Sequence, residues 1–107
     1  MTAKTYTYTF RDGQKEAYEE HLRKMAGIYG KKAAGNRGKD PVRADVNAGL
    51  LRAAEERLSE LGTAAGGEVT LGWDGIAALE TFACFNAYGA GLFSDRERAY
   101  LTWCVRN

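Results

Sequence analysis

The stretch WDGIAALETFACFNAYGAG, residues 73–91, constrains this chain more than any other. Ile76, Leu79, Phe82, Phe85 and Tyr88 recur at helical spacing, with Ala77, Ala78, Ala83 and Ala87 filling in. Between Asp74 and Gly89 only Glu80 is charged. A helix that is apolar nearly all round belongs in an interior, not on a surface. The pattern therefore predicts a central buried helix over about 75–88, capped by Asp74 and stopped by Gly89 and Gly91. The other segments are expected to pack around it.

The N-terminal segment alternates strictly. Tyr6, Tyr8 and Phe10 share one side; Thr5, Thr7 and Thr9 share the other. Period two with aromatic and β-branched residues predicts a half-buried strand. Its aromatic side should meet the core. Its threonine row should face solvent or a partner, and its edge could pair with a second copy of the chain. After Asp12-Gly13 the spacing becomes helical: Tyr18, Leu22, Met25 and Tyr29 form one stripe, with His21 and Ile28 on its flank. Acids come early and bases late, which suits the helix dipole. A helix over about 14–30 follows, its end fraying through Lys32–Ala34.

Residues 30–40, GKKAAGNRGKD, read as a loop. Asp40-Pro41 then restarts helix, with Asp40 as N-cap and proline in the first turn. Val42, Val46, Leu50, Ala54, Leu58 and Leu61 recur every three to four residues as an inward stripe, Asp45, Glu55, Glu56 and Glu60 sit elsewhere on the surface, and Gly62 ends the run. TAAGG, 63–67, is a connector. Glu68–Trp73 reads as a second short strand, with Val69, Leu71 and Trp73 on one side. Ser94-Asp95-Arg96-Glu97 is a capping box. It opens a last helix, 95–105, with Tyr100, Leu101, Cys104 and Val105 inward and Trp103 on the flank.

The order is β-α-α-β-α-α. Two strands alone make a marginal sheet, so the expected architecture is an α+β fold, a small two-stranded sheet packed on about four helices. At 107 residues the chain is read as one globular domain, 1–107. No stretch approaches a membrane span, and the N-terminus lacks the apolar run of a signal peptide. The expected location is cytoplasmic, with thiols reduced. Cys84 and Cys104 are the only cysteines. In a hairpin of the last two helices they are offset by roughly 7–8 Å at helical rise, a poor distance for a bridge. Two buried free thiols are expected.

No catalytic, metal or cofactor motif is present. The glycine-rich loop is not a phosphate loop, because Lys39 is followed by Asp40 rather than Ser or Thr. His21, the only histidine, has Ala17 and Met25 one turn away, so no carboxylate there orients it. Glu19-Glu20 and Glu55-Glu56 diverge by about 100° on a helix, so neither pair points at one substrate. Formal net charge is only +1, so electrostatic function must come from distribution. One bias stands out: His21 to Lys39 holds Arg23, Lys24, Lys31, Lys32, Arg37 and Lys39 and no acid.

These features suggest a non-enzymatic interaction protein, a small regulator or inhibitor. It would dock on a larger protein or nucleoprotein with an acidic surface through Lys31, Lys32, Arg37, Lys39 and Arg43. Direct nucleic-acid binding through the same patch is the alternative. The predicted eleven-residue loop is longer than a helix-turn-helix connection. A third reading is an enzyme or ligand-binding domain with an apolar pocket near Phe82, Phe85 and Trp103. Trp73 and Trp103 become interface anchors if they are exposed.

Overall fold

The computed structural model of the chain describes residues 3–62, 64 and 66–107. Its elements are β1 (Tyr6–Thr9), α1 (Gln14–Asn36), α2 (Pro41–Gly62), β2 (Glu68–Leu71), α3 (Trp73–Phe85), a 3₁₀ turn (Gly89–Gly91) and α4 (Asp95–Arg106). The order is the expected β-α-α-β-α-α, and the class is α+β. The chain divides into two compact units: residues 1–18 with 63–107, and residues 19–62.

In the first unit β1 and β2 pair antiparallel, with Tyr6 opposite Leu71 and Tyr8 opposite Val69. The alternation has the expected consequence. Tyr6, Tyr8, Val69 and Leu71 are buried, while Thr7, Thr9 and Thr70 are exposed. The Thr7 and Thr70 hydroxyls lie 3.5 Å apart on the open face. Of the expected connector at 63–67, Thr63 and Ala65 fall outside the described residues. Gly67 takes φ +80°, and its carbonyl accepts the Phe10 amide at 2.9 Å. A side chain there would be strained in φ and would crowd the Phe10 carbonyl.

Helix α3 supplies Ile76, Leu79, Phe82 and Ala83 to the core, each at most 2% exposed. It packs chiefly on α4, which contributes Leu101 and Cys104. Burying side chains of this size stabilises by about 1.5–3 kcal/mol each. Aromatic rings complete the interior: Phe82 stacks against Tyr18 at 5.0 Å and meets Phe93 edge-on at 6.1 Å. The central helix is shorter and more one-sided than its sequence suggests. It ends at Phe85, not Tyr88, and both residues are more than three-quarters exposed. Asn86 is the reason. Its side-chain oxygen accepts the amides of Tyr88 and Gly89 at 2.9 and 3.2 Å, an alternative to helical bonding that asparagine offers readily. The N-terminus also differs: Gly72 is the N-cap, no side chain caps it, and Asp74 lies inside the first turn. Trp73 is therefore the first helical residue rather than the last strand residue, and it is 53% exposed. In α4 the capping box forms as expected, but Tyr100 is exposed rather than inward. Both cysteines are free, with Cys104 buried and Cys84 half-buried.

In the second unit α1 continues six residues beyond its expected end at Gly30, to Asn36. Ala33 and Ala34, the best helix formers, sit between Gly30 and Gly35, and Ala33 is buried. The Asn36 side chain then turns back and donates to the Lys32 carbonyl at 2.7 Å. Only Arg37–Asp40 remain as connector. Asp40 caps α2 as expected, accepting the Arg43 amide at 3.1 Å. Helices α1 and α2 approach at Gly30, where an added Cβ would sit 3.9 Å from Leu51.

The 3₁₀ turn gives a sharp test. A Cβ on Gly89 would lie 2.0 Å from the Phe82 carbonyl oxygen, whereas one on Gly91 would meet nothing. Gly89→Ala should cost about 3 kcal/mol or more in urea unfolding, the upper end of overpacking effects, and Gly91→Ala less than about 0.5 kcal/mol.

Candidate functional site

Two polar features compete for attention, one in each unit. In the first unit the side chain of Gln14 is 1% exposed. Its oxygen accepts from the Tyr8 hydroxyl at 3.1 Å and the Arg11 amide at 2.8 Å. Its amide donates to the Leu92 carbonyl at 2.9 Å and to Glu97 at 3.1 Å. Glu97 also accepts two bonds from the Arg11 guanidinium, at 2.6 and 2.7 Å, and one from the Ser94 amide at 2.7 Å. The Arg11 bonds, helped by Ser94 and Gln14 and opposed by partial burial, hold the Glu97 carboxyl down at about 2. Burial first, then the charge of Glu97, pushes the Tyr8 hydroxyl well above its ordinary range.

Perturbed groups of this kind mark functional sites, but structural ion-pair networks perturb pKa values equally. Here the donors and acceptors already answer one another. Every bond named joins two groups of the chain, so the cluster acts as a clasp between the β1–α1 junction and the start of α4.

The second feature is the cationic turn. The structure places all five sequence-predicted residues along one connection: Lys31 and Lys32 in the last turns of α1, Arg37 and Lys39 in the connector, and Arg43 in the first turn of α2. All five are exposed. What reads as a basic loop is thus half helix. Arg43 lies 3.6 Å from Asp40, a solvent-exposed pair of little strength. Among the described residues, no carboxylate lies within 4.0 Å of Lys31, Lys32, Arg37 or Lys39. The carboxylates of α2 are partly occupied elsewhere: Arg57 lies 2.5 Å from Glu60 and 3.7 Å from Glu56.

The same region holds something that sequence reasoning misplaced. Val42, Val46 and Leu50 were expected on the inward stripe of α2, yet they are 72%, 56% and 42% exposed. Ala44, Ala54 and Leu61 are the buried positions. The reason is geometric. Four residues turn a helix by about 400°, so a row spaced by four drifts about 40° per step. After three steps the row has moved about 120° around the helix. It is inward at Ala54 and outward at Val42. Counting that drift would have found the exposed row.

Other candidates do not converge. Phe82 is buried while Phe85 and Trp103 are exposed, so the three do not line one cavity. Trp73 and Trp103 are both more than half exposed, and the Trp73 indole donates to the Val105 carbonyl at 2.9 Å. His21 is half-buried, and burial, then the charge of Lys24, lowers its pKa. Among the described residues no three His, Cys, Asp or Glu side chains come together to hold a metal ion. No described helix is long and apolar enough to cross a membrane.

No protein-family model, curated protein or solved structure matches this chain.

The two polar features predict opposite stability behaviour. Glu97 titrates lower in the folded state than in the unfolded chain. Its contribution is present above the ordinary carboxylate range and is lost as pH falls toward about 2. The stability gap between the native chain and Glu97→Gln should therefore be widest near neutrality and close on acidification, read by urea midpoints at each pH. Lys31→Glu, Lys32→Glu, Arg37→Glu and Lys39→Glu break no ion pair and should each change stability by less than about 1 kcal/mol, the scale of a surface charge near a helix end.

Proposed function

We propose that this chain is a non-enzymatic interaction protein, a small regulator or inhibitor. It docks on a larger protein or nucleoprotein with an acidic surface through Lys31, Lys32, Arg37, Lys39 and Arg43. The observation that supports this reading is the state of the cations. Four of the five stand in solvent without a carboxylate in reach among the described residues. Clustered like charges repel one another and add nothing to folding, so their arrangement is better suited to a complementary surface than to the chain's own stability.

Direct nucleic-acid binding is the second reading. One observation favours it over the expectation from sequence. The connector Arg37–Asp40 is four residues long, which lies within the range of helix-turn-helix connections. Binding of this kind weakens steeply with salt. A homodimer through the β1 edge is less well supported, because the Thr7 carbonyl already accepts the Tyr100 hydroxyl at 2.7 Å.

A pull-down from the native host separates these readings. The native chain should retain a protein partner after nuclease treatment, and the quadruple charge reversal at Lys31, Lys32, Arg37 and Lys39 should weaken that retention by about tenfold or more. Recovery of the same proteins by both versions would remove the site. Loss of all binding after nuclease treatment would favour nucleic acid.

A further inference from the structure

Val42, Val46 and Leu50 form a continuous aliphatic row on the first half of α2, each well exposed. The eight helical steps from Val42 to Leu50 give it a length of about 12 Å. Ala53 is also exposed and prolongs it without adding bulk. Single exposed apolar side chains are ordinary; a row of them on one helix face points to contact with something.

The row begins beside the cationic turn. Arg37 and Lys39, neither near a carboxylate among the described residues, precede Val42 in the connector, and Arg43, which lies 3.6 Å from Asp40, follows it. Lys31 and Lys32 lie within about 8 Å, along the axis, of the end of α1. The positive charge therefore gathers at one end of the row. Along the flank opposite Arg43, at about 100° per residue, lie Asp45, Arg52 and Glu56, all exposed and mixed in sign.

We infer that this surface receives one amphipathic helix from a partner protein. Its apolar residues lie along Val42, Val46 and Leu50, and its Asp and Glu residues gather at the end over the turn. The inference rests on the docking reading above and names the partner's chemistry. A helix fits because its own apolar row has the same period and reach. Charge complementarity sets which end is acidic. A phosphate backbone offers nothing to a valine and leucine row, and Asp45 and Glu56 would oppose it. The same carboxylates oppose an anionic bilayer, and the row lacks the Trp or Phe that seats an interfacial helix.

The probe is a phage-displayed library of random peptides about sixteen residues long, enough for four helical turns, panned on the immobilised full chain. Enriched peptides should share apolar residues at three- and four-residue spacing with acids at one end. Their retention should fall at least tenfold on the variant Val42→Ala/Val46→Ala/Leu50→Ala. Alanine is the best helix former, so that variant keeps α2 folded, which circular dichroism checks. Retention should fall equally on the quadruple charge reversal. Acidic peptides without the apolar period, lost only on charge reversal, would overturn the helix inference and leave the docking site standing. Peptides held by both variants would overturn both. No enrichment, or preferential capture of duplex DNA or phosphatidylserine vesicles in parallel wells, would also overturn the inference.

Discussion

The carboxylate of Glu97 gathers donors from Arg11, Gln14 and Ser94 at 2.6–3.1 Å. Those residues lie up to 86 positions away in sequence. The clasp joins the exit of β1, the first turn of α1 and the capping box of α4. Around it the sheet turns Tyr6, Tyr8, Val69 and Leu71 inward, and α3 brings Ile76, Leu79 and Phe82 to the same interior. Burying Gln14 would be costly without partners for its amide. With all of them present, the cluster fixes one arrangement of the elements it joins, and the charges it uses are spent on the fold.

The second unit handles charge differently. Its carboxylates near Arg57 pair within α2. Around the connector the cations are left in solvent, next to aliphatic side chains that are also left in solvent. Neither feature contributes to the stability of the chain by itself. Their coincidence at one place is what supports a docking role for this unit, and it is why the aromatic residues exposed elsewhere, such as Phe85 and Trp103, carry less weight.

Much of the fold was legible because its signals are local. Alternation over residues 5–10 marks β1, Asp40-Pro41 marks the start of α2, and Ser94 to Glu97 marks the start of α4. Each depends on neighbours within four residues. The clasp was not legible, since Gln14 looks like any first-turn glutamine until Glu97 is brought to it. The end of α3 was hidden for a related reason: Asn86 competes for the amides of Tyr88 and Gly89 within an otherwise helical pattern. The cations of the site were visible as composition, but their placement was not. Two of the five lie on α1, because that helix runs on past Gly30 to Asn36. The apolar row was read as core because drift around the helix was not counted.

The central claim is that the cationic turn and the start of α2, not the first unit, meet the partner. The most direct measurement is site-specific photo-crosslinking in native cells, with a benzophenone amino acid placed singly at Lys39, Val46, Thr7, Phe85 and Trp103. All five positions are exposed, so each substitution leaves the core intact. The account predicts one common adduct from Lys39 and Val46 and none of that mass from Thr7, Phe85 or Trp103. Adducts confined to the first-unit positions would contradict it.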